Sequence, residues 1–267
     1  MNKFLSLLIL TAFIASCTSE IEMEEMRLVD VDLLFTPKQT LPASNGHFYL
    51  EMTHTDALDC NNSFFVDSLS VDNTANPGVF SLVVDGVDTE GTCVTADDEV
   101  FLSQSYDIPE GLKDYDFMIT NQGITSEGKL RVMEDRLTIA FLSADGFELA
   151  KTELKRVPEG IAWGAISLGI AERDIATEFT QLQTPDAVGS QLADLQLDGD
   201  YGFFTINDFI EVTEINGQTD FEQSFLLSIQ NDADWVMLQE LLSKIEQGFP
   251  DLSYEIYNSE GESLIKG

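Results

Sequence analysis

The sequence is short of most groups that polar chemistry near neutral pH draws on. Two of its 267 residues are histidines, His47 and His54. They stand seven apart around a strand-like stretch, so alternation sends them to opposite faces and disfavours a shared metal. The reading leaves His54, beside Asp56, on a surface turn. There is no HExxH pair, no P-loop and no GxGxxG opening a helix. Basic residues are scarce too, 13 against 48 acidic ones, for a formal net charge of -35. A phosphate backbone rewards basic surface, so this balance argues against nucleic acid as a partner. Anionic lipid headgroups would be repelled for the same reason. Beyond the N-terminus no apolar run approaches the ~20 residues a spanning helix needs. With 43% hydrophobic residues and 18 phenylalanines, however, the chain has material for real cores and is not a disordered protein.

What is present starts at the N-terminus, MNKFLSLLILTAFIASC. Lys3 gives a positive start, residues 4–14 are apolar but too short for a permanent span, and Ala15-Ser16 precede Cys17. This arrangement resembles the lipobox of bacterial lipoproteins. The resemblance covers residues 1–17 and implies that Cys17 carries the fatty acyl anchor, a palmitate-type modification, and heads the mature chain. Residues 1–16 are then signal peptide and 17–27 a tether. Glu20, Glu22, Glu24 and Glu25 follow the cysteine after Thr18-Ser19, an acidic stretch that resembles the export signal of surface lipoproteins in the Bacteroidota. A solvated spacer reads equally well. The aspartate of the inner-membrane retention signal of enterobacterial lipoproteins is missing from Thr18-Ser19, which points to an outer-membrane lipoprotein facing the periplasm or the cell surface.

Removing the signal leaves twelve basic residues, a mature charge of about -36. The plain reading is solubility or adaptation to a salty medium; the sharper one is calcium or a cationic partner. With Cys17 at the anchor, Cys60 and Cys93 are left as a disulfide pair in an oxidising compartment, worth roughly 3–4 kcal/mol in the chain-entropy model. Calcium is the most credible metal ligand. Asp194, Asp198, Asp200 and Asp208, with Gly199 at the sixth place counted from Asp194, partly resemble an EF-hand loop, but the twelfth place holds Thr205 where a bidentate carboxylate is required. A plain Asp-Gly hairpin is the favoured reading. No other cofactor is expected. Lys129, Arg131, Arg136, Lys151, Lys155 and Arg156 fall within one stretch of adjacent strands. They would form a positive patch for an anionic partner, unless cross-strand pairs with Glu134, Glu148 and Glu153 neutralise it. Ala165-Ile166-Ser167-Leu168-Gly169 looks like a GxSxG nucleophile elbow without its first glycine. Both histidines precede Ser167, against the order an elbow needs, so it reads as a buried apolar segment.

Alternating apolar residues predict strands at 29–35, 48–52, 65–71, 79–84, 100–106, 115–120, 129–132, 136–142 and 147–154, with Asp85-Gly86 and Asp145-Gly146 as turns. Short strands at this spacing indicate an antiparallel β-sandwich over 28–157. From Pro158 the pattern changes to a smaller α+β unit over 158–267. The apolar run at 161–170 comes first, then a helix from Thr184-Pro185-Asp186. Hairpins are expected at Asp198-Gly199 and Asn216-Gly217, the latter joining 209–215 to 220–229. The clearest helix carries Trp235, Leu238, Leu242, Ile245 and Phe249, capped by Asp232 or Asp234 and stopped by Gly248 and Pro250. A strand at 252–257 and a polar tail end the chain. The fold class is therefore mostly β with α+β.

These readings favour a lipid-anchored, acidic cell-envelope protein acting as a non-enzymatic binding or assembly module, with an envelope protein or a glycan as partner. A carboxylate-based hydrolase of polysaccharide or peptide, assisted by calcium, is the alternative. A structural subunit of an envelope complex, with Trp163 and its apolar neighbours as partner surface, is another. A binding module would expose aromatics among the sandwich loops. An enzyme would carry two carboxylates of shifted pKa in a cleft, and a subunit would expose a large apolar patch.

Overall fold

Alternation in the first half produces two facing sheets. The computed structural model describes residues 32–90, 94–167, 177–178, 198–208, 211–229 and 231–267. The strands of the first half are β1 (Leu33–Gln39), β2 (Phe48–His54), β3 (Leu58–Cys60), β4 (Ser63–Asp72), β5 (Gly78–Thr89), β6 (Thr95–Val100), β7 (Ser103–Asp107), β8 (Lys113–Asn121), β9 (Ile124–Val132), β10 (Arg136–Phe141), β11 (Glu148–Leu149) and β12 (Glu153–Lys155). One sheet runs β11-β1-β2-β7 and the other β12-β10-β9-β8-β5-β4, while β3 and β6 form a separate pair. Leu33, Phe35, Leu50 and Met52 from the first sheet meet Phe80, Leu82, Phe117, Leu130, Leu137 and Ile139 from the second in one apolar core. In β1, β2 and, from Tyr115 onward, β8 every second residue is buried, which is what a strand with one covered face requires.

The sandwich holds, but its sheets are mixed. β5 pairs with β8 in parallel, because the chain between them passes through β7, which pairs with β2 in the opposite sheet. β1 and β11 are also parallel. Asp85-Gly86 is not a turn: β5 runs through it, and the register shift against β4 leaves Asp85 as a bulge between Val84 and Gly86. The single strand expected over 147–154 is instead two short ones in different sheets. β11 joins β1 and β12 joins β10, with Phe147 buried in the core before them. Gly146, at φ +80°, supplies the bend before this crossing rather than a hairpin.

The second half contains β13 (Ile161–Ser167), β14 (Gly199–Asp200), β15 (Phe204–Ile206), β16 (Val212–Ile215), β17 (Gln223–Ser228), α1 (Asp232–Gly248), β18 (Ser253–Asn258) and β19 (Ser263–Lys266). β13 lies between β17 and β18, and all its residues from Ile161 to Ile166 are buried. Ala162 and Ile166 face α1, through Trp235, Leu238, Leu242 and Ile245. Ile161, Trp163 and Ala165 face the small sheet β14-β15-β16, through Phe204, Ile206, Val212 and Ile215. Cover on both faces is why this strand reads as an unbroken apolar run. It also removes Trp163 from any partner surface, since its exposure is 0% and it stacks on Phe204 with centroids 4.5 Å apart.

Several local expectations change here. Asn231, not Asp232 or Asp234, caps α1: its side chain accepts from the amides of Ala233 and Asp234, leaving both aspartates in the first turn. Asn216 and Gly217, at φ +48° and +80°, do make a tight turn, but it closes only on Gln218. β17 leaves β16 and pairs with β13, where Phe225 and Leu227 join the apolar cluster under α1. The turn of the preceding hairpin is at Gly202 rather than Asp198-Gly199; Asp200 accepts from the Gly202 amide at 2.7 Å, and the Tyr201 amide donates to the Phe204 carbonyl. The tail is not loose, because β19 pairs with β18. The helix expected from Thr184 lies outside the described residues.

The described residues form one compact unit. The loop after β1 inserts into the second half: Ala43 belongs to the core around Trp163, and its amide donates to the Ser259 carbonyl at 2.7 Å. Buried Gln39 accepts from the Val157 amide at 2.9 Å. Cys60 is disulfide-bonded; Cys93 and Cys17 lie outside the described residues.

Candidate binding sites

The six basic residues expected to form a patch divide into two kinds. Period-two alternation puts Lys129 and Arg131 of β9 on the outer face of the six-stranded sheet, and register places Arg136 and Lys155 beside them. On β8, directly opposite, the same alternation puts Asp116 against Lys129 and Asp114 against Arg131. Lys129 pairs with Asp116. Arg131 grips Asp114 through two nitrogens, at 2.7 and 3.1 Å, and this holds the Asp114 carboxyl below its usual range. Arg136 binds Asp135 at 2.6 Å and Glu153 at 2.9 Å, lowering Asp135 likewise. Lys151 meets Asp200 at 2.5 Å, and Lys155 donates to the Asp198 carbonyl with its carboxylate 3.8 Å away. Among the described residues the face therefore carries no unpaired positive patch. Of the acids expected to neutralise it, only Glu153 forms an ion pair, while Glu134 contributes its carbonyl to Arg156. Asp114 and Asp116 were legible in principle, as acids at the strand period on a neighbouring strand.

Arg156 is the exception. It is half-buried, its Nε donates to the Glu134 carbonyl at 3.1 Å and its Nη1 to the Gly46 carbonyl at 2.6 Å. The guanidinium lies over Phe48, 4.4 Å from the ring centroid. Burial pushes its pKa down, with no acid to oppose the effect. It lines a cleft of about 310 Å³ together with Ser44, Asn45, His47, Ile108 and Glu110. His47 stands 3.1 Å from the Thr40 hydroxyl and 3.2 Å from Asp107. The other histidine is elsewhere and buried, not on a surface turn: His54 Nδ1 lies 2.8 Å from the Asp56 carbonyl.

The acidic calcium loop is not assembled by the residues described. Asp198 and Asp200 lie beside Lys155 and Lys151, which compete for any cation they would hold. Asp208 is exposed after β15, and Asp194 lies outside the described residues. No group of three metal-ligating side chains occurs among the described residues. Ser167 is the last residue of β13, and the segment that would complete an elbow lies outside them. Among the described residues, the carboxyls with displaced pKa are Asp72, Asp114 and Asp135, all lowered. Asp72 answers first to the Thr74 hydroxyl, and the other two to arginines. None is raised, as a general acid would be.

The second candidate is an edge. β4 is the last strand of the six-stranded sheet and is ten residues long. Its Phe64 is 44% exposed and Leu69 38%, with Val66 and Val71 similar. Gln104 of β7 reaches Asp67 at 3.4 Å across the open side of the sandwich. Beyond its ladder with β5, β4 makes no backbone hydrogen bonds among the described residues. No family model, curated protein or solved structure matches this chain. Its function has to be argued from these surfaces.

Proposed function

We propose that this chain is a lipid-anchored, acidic cell-envelope protein that works as a non-enzymatic binding and assembly module. Cys17 carries the anchor at the outer membrane, and the folded part faces the periplasm or the cell surface. The observation that supports assembly is the open edge of β4. Ten residues of strand with unpaired outward amides and carbonyls, flanked by exposed Phe64, Val66, Leu69 and Val71, form a template for an added strand. Soluble proteins usually blunt such an edge with lysine or proline, and β4 has neither. The partner is an extended segment of another envelope protein, with alternate apolar residues and basic ones among them. Its charge follows from the net -35 of this chain, which also disfavours a second copy. We also infer that Cys93 is the partner of Cys60, a reading supported by the Asn61 amide donating to the Val94 carbonyl and by the pairing of Cys60 with Thr95.

A photo-crosslinking residue at Ser70, used on intact cells, tests the edge. One specific adduct is expected, and it should disappear when Leu69 and Val71 are both replaced by lysine. Absence of an adduct, or an unchanged adduct in the lysine variant, removes the assembly reading. Protease shaving of the same cells separates surface from periplasm. Cys17→Ala should move the protein to the soluble fraction, and its retention in the membrane would contradict the anchor.

A further inference from the structure

We propose that the cleft at Arg156 binds the carboxylate of a small, singly charged ligand with an apolar body. This goes beyond the strand-edge reading and is independent of it. Among the described residues, Lys38, Lys129, Arg131, Arg136, Lys151, Lys155 and Lys266 each reach a carboxylate. Lys113 lies within electrostatic reach of Asp72, and Lys244 is exposed on α1. Lys113 is also half-buried and donates to the Asn73 carbonyl, but among the described arginines Arg156 alone is half-buried with only carbonyl partners, in a chain holding 48 acidic residues. Its two bonds use two of the five guanidinium donors and leave three for a ligand. A planar fork held in place by two carbonyls and the Phe48 ring is pre-organised for a carboxylate, so little side-chain freedom is lost on binding.

The rest of the cleft restricts the ligand. About 310 Å³ is at the lower end of ligand-site volumes, which excludes an oligomeric chain buried whole. Phe48, Ile108, Pro109 and Val132 provide an apolar wall, with Ser44 and Asn45 at the polar side. Glu110 lines the same cleft, and Asp107 stands behind His47. These two acids tolerate one negative charge seated on Arg156 and disfavour a second, which selects monocarboxylates over doubly charged phosphate.

The test uses the full chain in detergent micelles and arginine side-chain ¹H–¹⁵N spectra, with the Arg156 signal assigned by its loss in Arg156→Lys. Benzoate should shift that signal saturably, with a Kd of about 1 mM. Benzamide and inorganic phosphate should leave it in place. Arg156→Gln should weaken benzoate binding at least tenfold. Because Arg156 also ties the Gly46 and Glu134 segments together, Asn45→Trp is the second variant: it fills the exposed rim, keeps Arg156, and should abolish the shift. No saturable shift with benzoate, an equal response to benzamide, or tighter binding of phosphate would each overturn the proposal. Loss of the β4 adduct would leave this result untouched, so the two readings fail separately.

Discussion

At the scale of single residues, the described part of the protein keeps most of its few cations engaged and its tyrosines at least half-buried. Tyr254 is half-buried. Its hydroxyl donates to Glu246 at 2.6 Å, and burial, reinforced by that acceptor, raises its pKa to about 12. The phenolate is disfavoured in the fold, so the stability linked to Tyr254 is complete below pH 10. It is lost as pH rises through the folded value near 12. Alkaline absorbance titration should show a tyrosine ionising near 12 that is absent in Tyr254→Phe. A Tyr254 that titrated at the ordinary 10 would mean that its hydroxyl is neither buried nor held by Glu246 in solution. Arg156 teaches a different lesson at this scale. Its type and neighbours in sequence made it look like a member of a basic patch. Its partners are Gly46, 110 residues away, and Glu134. A contact of that separation cannot be read from local pattern.

At the scale of elements, α1 shows how close sequence reasoning comes and where it stops. Trp235, Leu238, Leu242 and Ile245 are buried as their spacing requires, and Leu241 joins them. The cap moved by one residue because several residues before the helix qualify chemically; backbone geometry selected Asn231, whose Oδ1 lies 2.9 Å from the Ala233 amide. Asn231→Ala should destabilise the protein by about 1 kcal/mol, and Asn231→Asp should not, as measured by urea denaturation. An Asn231→Ala variant with unchanged midpoint would return the cap to one of the aspartates. The misplaced turns have one cause. A dipeptide such as Asp85-Gly86 or Asp198-Gly199 permits a turn, but it equally suits a bulge or a strand start. Which of these forms depends on the partner strand.

At the scale of the whole molecule, the charge dominates. With 48 acidic residues against 13 basic ones, the carboxylates left over after ion pairing repel one another. Raising NaCl from about 0.01 to about 1 M shortens the screening length from about 30 to about 3 Å. The exposed pairs of β8, β9 and β10 lose little, since each is worth about 0–1 kcal/mol. Relief of repulsion should win and raise Tm. Each kcal/mol gained corresponds to about 2–4 °C for a chain of this length. A Tm that falls with salt, read by calorimetry, would mean that the ion pairs outweigh the repulsion. By itself, the sequence determined the elements with strong periodicity: the alternating strands of the first half, the long helix, and a mostly β fold with a smaller α+β part. It did so because burial of one face imposes a period on the residues that supply it. Only the tertiary structure decided which strands pair in parallel, that β13 is covered on both faces with Trp163 inside, and that β4 ends its sheet uncovered. It also decided that Arg156 lies in a cleft with backbone carbonyls as its hydrogen-bond partners. These depend on contacts between distant segments, and local pattern carries no record of which segment a strand or a side chain will meet.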